Sequence, residues 1–208
     1  MSDKTSDNQN EMRHLFAVDL SDKETLTIGK IVALWGSLEY EVFCQTLVSL
    51  DPTSPDELPK EMNNLQFTKV LDLWKLHVAD KAADNRKDVL QSVYKSICLY
   101  HKFRNDIVHG MWDWSQGKPD EITVLRVRKK EIHTTRFTAA DLRSLASELG
   151  EINFRLRYPG GVEEYTEAAA AEGSYMSRLG LCLMTSNPLA YDLLPQGIAE
   201  LLKKQSDD

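Results

Sequence analysis

The stretch Ser21–Leu50, "SDKETLTIGKIVALWGSLEYEVFCQTLVSL", decides the fold class. Ser21 and Glu24 stand at capping-box spacing, where a serine oxygen takes an unpaired backbone N–H and a glutamate reaches back to the serine. After them Ile28, Ile31, Trp35, Leu38 and Val42 recur at spacings of three and four, and Val32, Phe43, Leu47 and Leu50 widen the stripe. That period belongs to an amphipathic helix. One long helix is expected to about Leu50. Asp51-Pro52-Thr53-Ser54-Pro55 ends it, because proline lacks the N–H and disfavours a helical residue before it.

Working outward, a proline-containing loop reaches to about Asn64, and Leu65–Val78 reads as a shorter helix through Val70, Leu71, Trp74 and Leu76 or His77. A third helix is expected from about Ala82 to His109, with Val89, Val93, Ile97 and Tyr100 on one face and Gly110 as its stop. The period then changes. "EITVLRVR" (Glu121–Arg128) and "EIHTTRF" (Glu131–Phe137) alternate and are β-branched, which predicts a hairpin over 121–137 turned at Lys129-Lys130. Lys-Lys is poor chemistry for a two-residue turn. Thr138 and Asp141 cap a further helix carrying Leu142, Leu145, Leu149, Ile152 and Leu156, which runs until Pro159-Gly160-Gly161. Beyond Val162 the chain is mixed. "EAAAAEG" (Glu167–Gly173) is helix-prone, "TSNP" (Thr185–Pro188) is a turn and "PQGIAELLKK" (Pro195–Lys204) can form a short helix. The reading is a mainly α chain: a polar, disordered lead-in over 1–19, a helical domain over 20–158 with an inserted hairpin, and a partly helical C-terminal extension over 159–208.

Composition narrows the function. Of 208 residues, 42% are apolar and 27% charged, as in ordinary soluble domains. "MSDKTSDNQNEM" (Met1–Met12) lacks the apolar stretch of a signal peptide, and "LGLCLM" (Leu179–Met184) is far too short to span a bilayer. A cytoplasmic protein with no membrane partner is expected. Cys44, Cys98 and Cys182 are odd in number, far apart and without CxxC spacing, which argues against a disulfide framework and against a zinc site. No phosphate-binding glycine loop and no HExxH occurs, so no cofactor and no metal are expected. A net charge of −7 disfavours a protein that coats nucleic acid non-specifically. Yet from Arg126 to Arg157 eight Lys/Arg stand against four acids, which is either a solvated surface or an RNA-facing patch.

Chemistry concentrates at the end of the third helix, in "YHKFRNDIVHGMWDW" (Tyr100–Trp114). Arg104 falls on the same stripe as Val93, Ile97 and Tyr100, and a guanidinium is costly to bury without an acceptor. Glu39, between Trp35, Leu38 and Val42 on the first helix, offers one; a buried Glu39–Arg104 pair is expected. His109 lies about 140° around and about 7.5 Å along an ideal helix from Arg104. Asn105 and His109 are four apart and can hydrogen-bond, and His101 precedes Asn105 by four. One edge thus carries a permanent cation, an amide and imidazoles of ordinary pKa about 6.5. Metal-free RNA cleavage needs such a set: a base for the 2′-OH proton, a cation for the phosphorane, and a donor for the leaving oxygen. Trp112 and Trp114 either pack against the first helix or stack on bases. His14, His77 and His133 have no evident partner.

Arg104-Asn105-Asp106-Ile107-Val108-His109 resembles the R-x4-6-H motif of the HEPN superfamily, in which a polar residue commonly follows the arginine. The "HGMW" continuation (His109–Trp112) and the acidic residue within "IVALWGSLEYEV" (Ile31–Val42) are similar to the same superfamily over about residues 20–158. The resemblance implies an up-and-down helical bundle, a homodimer with two Arg/His motifs facing across its cleft, and metal-independent endoribonuclease activity in toxin–antitoxin, CRISPR or other defence systems. By position it makes Arg104 and His109 catalytic with Asn105 assisting, while Glu39 and His101 support them. Other members of the superfamily are non-catalytic binding or assembly modules. Two functions therefore stand: an RNA-cleaving homodimer, or a helical module that binds a partner protein such as an antitoxin or other genomic neighbour.

Overall fold

The computed structural model describes residues 20–50, 58–115, 117–174 and 180. Readings made on the N-terminal lead-in with His14, on Pro52–Pro55, on "LGLCLM" with Cys182 apart from Gly180, and on "TSNP" and "PQGIAELLKK" lie outside those residues. The chain divides into two compact units, up to Arg157 and from Tyr158 onward. The protein is mainly helical with one small antiparallel sheet.

Helix α1 runs Asp22–Leu50. Its capping box forms: Ser21 N–H donates to Glu24 Oε2 (2.8 Å) and Glu24 N–H to Ser21 Oγ (3.3 Å). Ile31, Trp35, Leu38 and Val42 are fully buried, so the apolar stripe read from the sequence is the face that enters the core. Helix α2 is Phe67–Trp74 and continues as a π-helical turn over Lys75–Ala79. The wider turn shifts the buried face. Val70, Leu71 and Trp74 are buried as expected, but Ala79 follows them inward while Leu76 is exposed. Helix α3 spans Asp84–His109 and buries Leu90, Val93, Ile97 and Ile107.

The hairpin is part of a larger sheet. Strands β1 (Met111–Ser115), β2 (Lys118–Arg128) and β3 (Glu131–Thr138) pair antiparallel in the order β1-β2-β3. Arg128 pairs with Glu131, so the turn is Lys129-Lys130, both with positive φ (49° and 71°) as a tight hairpin turn demands. Ile122, Val124 and Phe137 enter the core from the sheet. Strand β1 extends the expected two strands to three.

Helix α4, Ala139–Arg157, starts on a second capping box: Thr138 N–H donates to Asp141 Oδ2 (2.8 Å), and Asp141 N–H to Thr138 Oγ1 (3.1 Å). It buries Leu142, Leu145, Leu149, Ile152 and Leu156 and lies along α1, where Gln45 Nε2 donates to the Leu156 carbonyl and Asn153 Nδ2 to the Leu34 carbonyl. Cys44 is half-buried and Cys98 exposed, so neither is a core filler. In the second unit, helix α5 spans Val162–Ala171, and Tyr158 meets Tyr165 edge to face. Among the described residues no helix is long and apolar enough to cross a membrane.

Candidate active site

The junction between α3 and β1 fixes the site. Gly110 N–H donates to the Asp106 carbonyl (2.9 Å), and Gly110 itself is extended (φ −84°, ψ 162°) rather than left-handed. The glycine serves space, not handedness: a Cβ there would collide with Val124 Cγ1 and the Asp106 carbonyl oxygen. The end of α3 is thereby pressed against β2, with His109 as its last residue.

One turn earlier, Arg104 gathers the expected partners. Its Nη1 donates to Asn105 Oδ1 (3.1 Å) and lies 3.5 Å from His109 Nε2. Its Nη2 lies 3.9 Å from Glu39 Oε1, and the guanidinium stands over the Trp35 indole, 5.9 Å from the ring centroid. Glu39 Oε1 also accepts from Trp35 Nε1 (2.6 Å). The Glu39–Arg104 meeting is at the outer limit of an ion pair, and the side chains are 34% and 22% exposed, so the pair is half-buried rather than buried as expected. Arg104 lies at the margin of the buried face of α3 rather than within it, for Asp106 and Ile107, farther along the helix, are 7% and 2% exposed.

Asn105 does not bridge to His109 as its spacing allows. Its amide oxygen accepts from Arg104, and its amide nitrogen lies 3.0 Å from His101 Nε2 and 3.3 Å from Nδ1. Arg104 is the link between Asn105 and His109. His101 sits among Trp35 and Phe67, at ring-centroid distances of 5.8 and 6.3 Å. Burial, and then the neighbouring Arg104 cation, hold its pKa below the ordinary 6.5. A neutral imidazole keeps one acceptor nitrogen, which suits the Asn105 N–H. His101 therefore orients Asn105, and His109 is the exposed imidazole of the set.

A residue that sequence reasoning passed over anchors this end of the helix. Asp106 is 7% exposed. Its Oδ1 accepts from Arg128 Nη2 and lies 3.5 Å from Arg126 Nη1, while its Oδ2 accepts from Thr135 Oγ1 (2.9 Å). Arg126 and Arg128, two apart on β2, share a sheet face. The signal in the sequence was the alternation "RVR" within the hairpin. What the sequence did not reveal was that this face folds back onto α3. Trp112 is half-buried against the core and pairs with Val124, whereas Trp114 is 43% exposed. His133 lies 3.8 Å from Glu131 on the exposed hairpin.

The arrangement offers a fixed cation and an exposed imidazole side by side, both able to meet phosphate oxygens, with the imidazole free to move a proton. A cavity of about 280 Å³ between α3, β3 and α4 is lined by Tyr100, Phe103 and Phe137 and includes none of the motif residues. Of the two, His109 is exposed and Arg104 half-buried. Among the described residues no three His, Cys, Asp or Glu side chains come together in a way that could hold a metal ion. No protein-family model, curated protein or solved structure matches this chain.

Proposed function

We propose that this chain is a HEPN-like, metal-independent endoribonuclease that works as a homodimer. The observation that carries the reading is the position of Arg104 Nη1, 3.1 Å from Asn105 Oδ1 and 3.5 Å from His109 Nε2 at the end of α3. In this reading α1 to α4 form the up-and-down bundle. His109 takes the 2′-OH proton or supplies the proton to the leaving 5′-oxygen, and Arg104 stabilises the negative charge that develops on phosphorus. Asn105, oriented by His101, accepts from the guanidinium, and Glu39 stands 3.9 Å from it on α1. The product ends are a 2′,3′-cyclic phosphate and a 5′-hydroxyl. One exposed imidazole per chain serves one of the two proton transfers, and a second copy across a dimer cleft supplies the other. Such an activity suits a toxin–antitoxin or defence protein of the cytoplasm.

One observation favours a second reading. Arg104 is engaged at once by Glu39, Asn105 and the Trp35 face, which is also how a structural arginine would be used in a non-catalytic module that binds a partner protein. A cleavage assay of the purified chain on a broad set of RNAs in excess EDTA separates the two. The ribonuclease reading expects cyclic-phosphate products from the wild type. Intact RNA throughout makes the binding module the function.

A further inference from the structure

We infer that the β2–β3 hairpin is the arm that holds the RNA backbone beside the Arg104–His109 motif, with the ammonium groups of Lys129 and Lys130 taking phosphates of the strand next to the cleaved bond. The inference rests on the ribonuclease reading for the identity of the polyanion, and its evidence lies in the hairpin.

Position comes first. Arg128 holds Asp106, three residues before His109 on α3, and Lys129 is the next residue along the chain. Arg126 and Arg128 lie near enough to His101 to disfavour its charged form. The hairpin tip is therefore tethered at the motif.

Charge comes second. Between Arg126 and His133 the chain carries Arg126, Arg128, Lys129 and Lys130 against Glu131 alone. Asp106 offsets one of these cations and Glu39 offsets Arg104. The local excess is positive in a chain of net charge −7, so it draws a polyanion to the hairpin against the charge of the chain as a whole. Glu131 is exposed, with His133 beside it at 3.8 Å, and both Lys129 and Lys130 are exposed.

Lys129 and Lys130 both occupy positive φ, a conformation that Asn-Gly adopts more readily and lysine adopts rarely. Folding alone would be served better by Asn-Gly at this turn. The two lysines sit there against local preference, at the point of the hairpin that reaches furthest from the sheet.

The test is the double substitution Lys129→Asn/Lys130→Gly, which removes both charges and improves the turn. It is expected to melt no lower than wild type. Binding is read by fluorescence anisotropy with a labelled, fully 2′-O-methylated single-stranded RNA, which lacks the nucleophile and stays intact. The double variant is expected to bind several-fold more weakly, and its log–log salt slope should shrink by about 1.4, from about 0.7 per phosphate contact on single strands. On cleavable RNA, KM should rise with kcat unchanged. Equal affinity and equal slope in the two proteins would overturn the inference and leave the ribonuclease reading standing. Hairpin-dependent binding with no cleavage by wild type would support the arm and remove the ribonuclease. Hairpin-dependent binding of poly-glutamate without binding of RNA would overturn the inference in favour of an acidic protein partner.

Discussion

Glu39 Oε1 serves two donors, accepting from Trp35 Nε1 at 2.6 Å on its own helix and standing 3.9 Å from Arg104 Nη2 on α3. The two contacts differ in energy. The ion pair is long and partly exposed, and such pairs contribute about 0–1 kcal/mol. The indole N–H belongs to a fully buried tryptophan, and stranding it costs about 1–3 kcal/mol. Glu39→Gln keeps an acceptor for Trp35 and is expected to be nearly neutral. Glu39→Ala is expected to destabilise by about 1–3 kcal/mol. Urea unfolding of the pair checks this, and equal loss in both variants would mean that the ion pair dominates.

Asp106 is the stronger electrostatic anchor. Its carboxylate is almost wholly buried and faces Arg126, Arg128 and Thr135, whereas the two arginines keep about a quarter to a third of their exposure and can turn to water. Hydrogen bonds to charged groups are worth about 1.5–3 kcal/mol each. Asp106→Ala is expected to cost about that much in total, because the freed arginines recover solvation. It should also loosen the hairpin. Hydrogen exchange faster at β2 and β3 than at α1 would show it.

The sequence reading succeeded where structure is local. Both capping boxes and the stripes of α1 and α4 follow from neighbours within a few residues, and the Lys129-Lys130 turn from the alternation of the strands beside it, against the preference of lysine itself. It fell short where position depends on distant chain. Strand β1 is short, and only its pairing with β2 makes it a strand. Gly110 does stop the helix, but the reason for a glycine there is Val124, which lies against it from the sheet. Asp106 looked like one more polar residue in the motif until Arg126 and Arg128 met it from 20 or more residues away. The candidate site was legible because Arg104, Asn105 and His109 share one helix end; its support was not.

His101 links stability to pH. Its pKa is lowered by burial, then by Arg104, with Arg126 and Arg128 adding to the effect and Glu39 opposing it. As pH falls below the ordinary 6.5, the unfolded chain takes up the proton before the folded chain does. The stability that neutral His101 contributes is complete above 6.5 and is lost progressively as pH drops toward the lowered value. His101→Gln, which cannot titrate, should flatten the fall of Tm over that window. An unchanged slope in the variant would assign the acid sensitivity to other groups. Asp141 acts lower: hydrogen bonds from Thr138 depress its pKa below 3.8, so its share is lost only as pH falls past that range.

Catalysis gives the most direct prediction. His109 is exposed at the end of α3, and its side chain meets Arg104 at 3.5 Å rather than the core. His109→Ala should therefore keep the wild-type melting temperature while losing about 10²–10⁴-fold in cleavage rate, the usual share of general acid–base catalysis. Arg104→Lys keeps the charge but loses the planar fork that serves Asn105 and phosphate together, and should also be impaired. If facing copies each supply one imidazole, a mixed dimer of wild-type and His109→Ala subunits should be nearly as slow as the His109→Ala homodimer. About half the wild-type rate in the mixed dimer, with both proteins still dimeric by light scattering, would confine each centre to a single chain. Cleavage of a substrate with 2′-deoxyribose at the scissile position would remove 2′-OH attack from the mechanism, whichever chain supplies the groups.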